Sequence, residues 1–316
     1  MRFSTPVLDT PARTPVSKPA SKRHMLGSPS SLPPERLVEP PATRRFKAVL
    51  RRDKTALSAV FLLGLLILCS ILAPLLTPYH TDGDFADRLL SPSTQHPFGT
   101  DELGRDLFLR VMQGGRISLA AGASAMLCAL LIGVFAGALS GYYGGFMDTL
   151  VMRAVDLFLS IPAFFVILFL ASVTTPGLLL ICVLIAMTQW MEVARVVRSV
   201  VLTVKQHEFV DAARALGLPD KRILFGHVLA HTSGPVLVAA TIGVAQAIMI
   251  ESAISFLGFG VQPPTASWGS LLTNAQSYLG TAPWLAIFPG AMIFLTVLSC
   301  HALSDFLRSA LGTETR

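Results

Sequence analysis

Charge is scarce in this sequence. Asp, Glu, Lys and Arg make up 14% of its 316 residues, where a soluble domain averages about 25%. So few charged groups cannot clothe a water-soluble globule of this length. The scarcity is also uneven. No charged residue stands between Lys54 and Asp82, between Arg116 and Asp148, between Asp156 and Glu192, between Arg222 and Glu251, or from Ser252 through Ser304. A helix needs about 20 apolar residues to cross a hydrocarbon core, and the runs are long enough for that. Barrel strands would alternate over about 10 residues. The chain reads as an all-α membrane protein.

Chemistry-bearing patterns are missing too. The four cysteines are Cys69, Cys128, Cys182 and Cys300. Each lies in an apolar run and no two form a CxxC pair, so they read as small packing residues and not as a disulfide or metal site. No G-x-x-x-x-G-K-[ST] phosphate loop occurs, which leaves no visible means of binding ATP within the chain. HExxH, GxSxG and Cys/His clusters are absent as well, so no catalytic residue, metal ligand or cofactor is expected. A membrane-embedded enzyme would need a catalytic set at membrane depth, and the polar groups there have simpler readings. Glu251 is costly to bury; with Ser255 it reads as a hydrogen-bonded, pathway or gate position. Arg153 with Asp156, and Glu192 with Arg195, stand at the i, i+3 spacing of helical ion pairs. His301 reads as a packing or hydrogen-bonding group, with Asp305 in helical reach.

The runs predict about six crossings, at 56–77, 117–141, 151–173, 178–197, 235–257 and 284–307. Pro162 predicts a kink in the third. Gly122, Gly133, Gly137 and Gly141 predict close helix packing in the second. An excess of Lys and Arg in short loops marks the cytoplasmic side. The first 54 residues carry 12 of them, and the segment 198–231 carries Arg198, Lys205, Arg214, Lys221 and Arg222, while 258–283 carries none. Both termini are therefore expected in the cytoplasm. The basic pI of about 9.4 reflects this topology, and nucleic acid is not expected as a partner. The clusters Arg44-Arg45-Phe46-Lys47 and Arg51-Arg52 read as anchors to the anionic lipid bilayer. Residues 1–45 have no apolar period and read as a disordered cytoplasmic tail, not a cleaved signal peptide. Residues 46–100 read as an N-terminal transmembrane anchor and outer loop, and 101–316 as the transmembrane core.

Three stretches outside the spans carry information. The outer loop contains Phe98, Gly99, Thr100, Asp101, Glu102, Leu103, Gly104, Arg105 and Asp106. Thr100 is the expected N-cap of the adjoining helix, and the helical pattern of Leu107, Val111 and Met112 reads by itself as an amphipathic interfacial helix. In the loop 198–231, Glu208 to Leu216 forms a short helix with an acidic first turn that suits the dipole. Gly217 stands where a left-handed cap is wanted, Pro219 prevents continuation, and Asp220 is expected to cap a second helix. The first helix carries Phe209, Ala212, Ala213 and Leu216 as an apolar stripe at i, i+3, i+4, i+7. A short helix is marginal alone, so something must bury that stripe: the protein's own spans, or a partner's cleft. The third stretch runs from Glu251 through Ser255, Phe256, Leu257, Gly258, Pro263 and Pro264 to Trp268 and Gly269. Glycine and proline end the fifth span there, and Trp268 reads as an interfacial residue.

These three stretches resemble the permease subunits of bacterial dipeptide and oligopeptide ABC importers, specifically the second of the two permeases. The loop Phe98–Asp106, the Asp211-Ala212-Ala213 run with Gly217, and the Ser255-Phe256-Leu257-Gly258 segment with Pro263-Pro264 and Trp268-Gly269 carry the likeness, which covers roughly 45–310. The chain has Asp211 where the family loop usually has Glu, and Ala230-His231 where it usually has Pro-Asn. The resemblance implies a type I ABC importer permease in the bacterial plasma membrane. It further implies a second homologous permease as heterodimer partner, two ABC ATPase subunits and an extracytoplasmic solute-binding protein. Glu208, Phe209, Asp211, Ala212, Ala213, Leu216 and Gly217 would couple to the ATPases. Gly99, Thr100, Asp101, Gly104, Arg105 and Asp106 form the outer-loop motif. The implied cargo is a di- or oligopeptide; nickel or another small solute is the alternative within the same architecture. An ion-coupled secondary transporter using Glu251 is the alternative outside it.

Overall fold

The computed structural model describes residues 54–76, 83–175 and 177–311; the expected tail at 1–45 lies outside them. Among the described residues the protein is helical, with one isolated antiparallel bridge between Thr100 and Asp106. The helices are α1 (Lys54–Leu76), α2 (Leu107–Tyr143), α3 (Gly145–Leu159), α4 (Ala163–Ser172), α5 (Leu178–Val204), α6 (Glu208–Ala215), α7 (Asp220–Ile223), α8 (Ser233–Phe256), α9 (Trp268–Ala275) and α10 (Trp284–Leu311). Five helical stretches are long and apolar enough to cross a bilayer. The pair α3 and α4 meets the same length and apolarity only when taken together, bent by 76° at the break between them, the geometry of a broken span or a re-entrant loop. The expected kink at Pro162 is thus a full break. The proline stands just before α4, where its missing N–H costs no helical hydrogen bond.

The second crossing is longer than its apolar run. Asp106, not Thr100, is the N-cap of α2: its carboxylate accepts from Leu109 N at 3.0 Å. Thr100 stands too far ahead of Leu107, the first helical residue, to cap it, and its hydroxyl instead donates to Asp87 O and accepts from Leu90 N within the loop. Leu107, Val111 and Met112 are buried, so they form the first turns of the span and no separate interfacial helix.

Glycine governs the packing of α2. A Cβ on Gly133 would stand 2.6 Å from Trp190 O, one on Gly137 2.4 Å from Ala194 O, and one on Gly141 3.0 Å from Arg198 O, all on α5. Gly122 meets Ile248 of α8 in the same way, at 2.5 Å. The expected close approach of small residues is realised against two helices. Outward-facing positions such as Phe61, Leu131, Phe165, Leu179 and Phe294 are large, apolar and exposed. An apolar exterior of this extent is what a bilayer covers.

Ion pairs link different helices. Asp156 of α3 pairs with Arg195 of α5 at 2.5 Å, replacing the two intrahelical pairs expected with Arg153 and Glu192. Nearby, Arg198 of α5 grips Asp148 of α3, which also accepts from Ser140 of α2. The short α3 is thereby tied to both longer helices at one end of the bundle.

Candidate functional site

The segment between α5 and α8 projects from the end of the bundle where α2 and α5 finish. Its first helix, α6, turns Val210 inward to full burial, in a cluster with Tyr142, Val201, Val204, Ile223, Leu224 and Val228. Ala213 and Leu218 pack against the same cluster. The expected stripe is therefore split. Phe209, Ala212 and Leu216 are exposed, Leu216 to 80%, while Ala213 joins the inward side. Glu208 and Asp211 face solvent, and Asp211 lies 3.5 Å from Arg214.

The turn that closes α6 is a Schellman motif. Gly217 N donates to Arg214 O at 2.9 Å and Leu218 N to Ala213 O at 3.2 Å. Gly217 has φ +78°, the left-handed conformation such a cap requires. Pro219, and not Asp220, caps α7. The Asp220 carboxylate is engaged elsewhere: it accepts from the Tyr142 hydroxyl at 2.7 Å. That ring also lies beneath the Arg214 guanidinium, 5.9 Å from its centroid, and Lys205 Nζ donates to Gly141 O at 2.7 Å. The hairpin is thus fastened to the last turn of α2 by three polar contacts and one apolar cluster. Beyond α7, the backbone passes through a π turn at Leu224–Val228 and a 3-10 turn at Leu229–Thr232. It enters α8 without a break, Ala230 offering none of the interruption a proline imposes.

At the opposite end, the loop before α2 is folded around Asp101, which is buried. Its carboxylate accepts from the backbone of Leu103 and Arg105 and from the side chains of Arg105 and Arg110, at 2.7–3.0 Å. Gly104 has φ +74°, and a Cβ there would collide with Asp84 O. Gly99 is likewise at positive φ, beside Trp284. Asp106 pairs with His96 at 2.8 Å, and Glu102 accepts from Asn274 near the end of α9 at 2.8 Å. The motif residues make one rigid rim.

Glu251 lies in α8 and is fully buried. Ser255 Oγ donates to its Oε1 at 2.7 Å and Ser118 Oγ to its Oε2 at 3.1 Å. Both serines pass the chain of bonds onward: Ser118 accepts from Trp268 N at 3.1 Å and Ser255 from Val261 N at 3.2 Å. Trp268 is not interfacial. It is buried, and its indole N–H donates to Val111 O at 2.9 Å. The carboxyl group therefore ties α2, α8 and the start of α9 together. A buried carboxyl group left without partners would be costly, and these bonds supply them. Among the described residues, no group of three or more His, Cys, Asp or Glu side chains converges as a metal site.

Residues 129–315 match the family described as binding-protein-dependent transport system inner membrane component. Residues 42–92 match the N-terminal transmembrane domain of oligopeptide transport permease C. The dipeptide transport system permease protein DppC of Alkalihalophilus pseudofirmus is 36% identical over 299 residues, covering 94% of this chain and 98% of that one. The oligopeptide transport system permease protein OppC of Bacillus subtilis is 37% identical, covering 84% and 88%. The glutathione transport system permease protein GsiD of Escherichia coli is 38% identical, covering 86% and 89%. In fold, the chain is similar to a solved inward-facing conformation of the MetNI methionine ABC transporter. The TM-score is 0.54 at 19% identity, over 66% of this chain and 98% of that one.

Proposed function

The chain belongs to the family of binding-protein-dependent transport system inner membrane components, and from that premise we propose that it is one of two homologous permeases of an ATP-binding-cassette importer for peptides. Membership makes it a multi-pass transport subunit of the bacterial plasma membrane. In the proposed assembly the second permease completes a heterodimer, two ABC ATPases drive it, and an extracytoplasmic binding protein delivers the cargo. Peptide cargo is supported by the chemistry shared by dipeptides, oligopeptides and glutathione, the substrates in the names of the relatives.

The observation that carries the coupling role is the split face of α6. Val210 and Ala213 are spent on the protein's own cluster and Phe209 stacks one side of its ring on His231, while Ala212, Leu216 and the outer side of Phe209 face solvent. A small residue flanked by two large apolar ones suits insertion of a helix into a partner's cleft. ATP-driven closure of the ATPases would push this helix. Val210, the Tyr142–Asp220 bond and the Lys205–Gly141 bond would carry the displacement into α2. The glycine contacts bind α2 to α5, so the two would move as one body and rock the bundle between inward-open and outward-open states. The folded loop around Asp101 would be the rim that receives the binding protein, on the outer face. Glu251 would hold α8, α2 and α9 in register behind that rim.

The test is peptide uptake into vesicles carrying the complete importer. Uptake is expected to require ATP and the binding protein and to survive collapse of ion gradients. Uptake that follows an ion gradient without ATP would make the chain a secondary transporter and overturn the reading.

A further inference from the structure

The last helix has one face that no described residue covers. Ile287, Ala291, Phe294, Leu298, His301 and Asp305 follow one another along α10 at alternate spacings of four and three, the repeat of a helix–helix seam. Ile287, Phe294 and Leu298 are each more than half exposed, and His301 and Asp305 are exposed with them. The buried residues of α10, among them Leu285, Pro289, Cys300 and Phe306, lie on the other side of the helix.

Depth decides what can cover this seam. α10 runs antiparallel to α1: Ala73 and Leu285 belong to one cluster near one end, and Ala56 packs with Phe306 and Ala310 near the other. The rise per residue is the same along both helices, so Asp305 stands near the level of Leu57 and His301 near that of Phe61. At that level α1 exposes Leu57, Val60 and Phe61, side chains suited to hydrocarbon. Lipid tails satisfy Phe294 and Leu298 but offer nothing to an imidazole or a carboxylate. Ionisable groups at membrane depth face protein or a water-filled space and find partners there. Neither His301 nor Asp305 has a hydrogen bond or ion pair with the described residues. Water would serve these two and leave Phe294 and Leu298 bare. A protein surface that is apolar along one part and polar along the next satisfies all of them.

Of the partners in the proposed assembly, only the second permease lies in the bilayer. We propose that it packs along this seam of α10, with apolar side chains over Phe294 and Leu298, a hydrogen-bonding side chain on His301 and a Lys or Arg paired with Asp305. Polar residues within a helix seam fix register and partner choice, and side chains such as His bond across helices in membranes. The inference rests on the importer reading and adds to it the face that joins the permeases and the charge that aligns them.

The complete importer is prepared with p-benzoylphenylalanine in place of Phe294, Leu298 or His301, reconstituted into vesicles and irradiated. Adducts are identified by mass spectrometry. Each position is expected to trap the second permease, recognised by its own peptides. Adducts only to lipid or to this chain's own tail, or none, in vesicles that contain the second permease and import peptide, overturn the seam and leave the importer reading standing. An active importer that lacks a second permease overturns both. Dissociation of the permease pair on dilution in detergent provides a second measurement. Asp305→Leu is expected to weaken the pair about tenfold, the effect of losing one charged hydrogen-bonding partner, while Asp305→Glu keeps most of the affinity and the yield of inserted chain stays at the wild-type level. A pair as tight as wild type, or tighter, with Asp305→Leu is the behaviour of a lipid-facing position and overturns the proposal.

Discussion

Substitution of Gly217 separates backbone conformation from side-chain volume. Its φ is +78°, and a Cβ added there meets nothing within 4 Å. No clash arises, so any penalty comes from the left-handed conformation itself. For a residue with a Cβ this costs about 1–2 kcal/mol, more for a β-branched side chain, and Asn tolerates it best. Such a penalty lowers the population of the closed turn roughly 5- to 30-fold. The affected contacts are the Gly217–Arg214 and Leu218–Ala213 bonds that fix the exposed end of α6, and with it the pose of Leu216. The spans are untouched, so insertion should be normal. Peptide uptake in vesicles is expected to follow Gly > Asn > Ala > Val at position 217, with Gly217→Val at about a tenth of wild type or below. Uptake that tracks size, with Gly217→Asn as poor as Gly217→Val, would show that space and not conformation decides. Normal uptake with Gly217→Val would refute the lever role of the turn.

Three further perturbations act at other links. Gly137→Leu drives a Cβ to 2.4 Å from Ala194 O, against ordinary contact at 3.4–4 Å; α2 and α5 must part, at a cost of about 1–3 kcal/mol, read as a lower melting temperature in detergent. Glu251→Ala removes the acceptor shared by Ser118 and Ser255 and should destabilise the folded protein by about 2–4 kcal/mol. Glu251→Gln, which keeps an acceptor oxygen, should cost distinctly less; equal losses would mean the serine bonds contribute little. Tyr142→Phe deletes the bond to Asp220 yet leaves a ring beneath Arg214. Peptide transported per ATP hydrolysed should fall while the yield of folded protein holds, and an unchanged ratio would remove this bond from the coupling path.

How far the sequence could be read depended on the range of the interaction. Run lengths located the crossings, because desolvation of a backbone in lipid is a local requirement. The i, i+4 glycines of α2 announced a close helix contact, though not that α5 supplies most of it and α8 the rest. Gly217 and Pro219 revealed the turn because a left-handed cap has its own residue chemistry. Competition among long-range partners was not legible. Thr100 looked like a cap, but the loop folds back on Asp87 and Leu90 before the helix starts at Leu107. Asp220 looked like another until Tyr142, distant in sequence, took its carboxylate. Trp268 had an interfacial composition around it but is buried against Val111. Asp156 had a local partner at hand and chose Arg195 across the helix gap. In α6, the i, i+3, i+4, i+7 spacing picked Phe209, Ala212, Ala213 and Leu216 but missed Val210, the residue the protein buries completely.

The most direct measurement is disulfide trapping between Ala212→Cys on α6 and single cysteines along the cleft of the partner ATPase, in the complete importer with and without nucleotide. A helix that transmits the ATPase stroke should cross-link efficiently, with the yield or the preferred partner position changing on ATP binding, and the trapped complex should neither hydrolyse ATP productively nor import peptide. Failure to trap Ala212→Cys against any ATPase position, or labelling of this residue by an impermeant thiol reagent from outside the cell, would contradict the coupling role of α6.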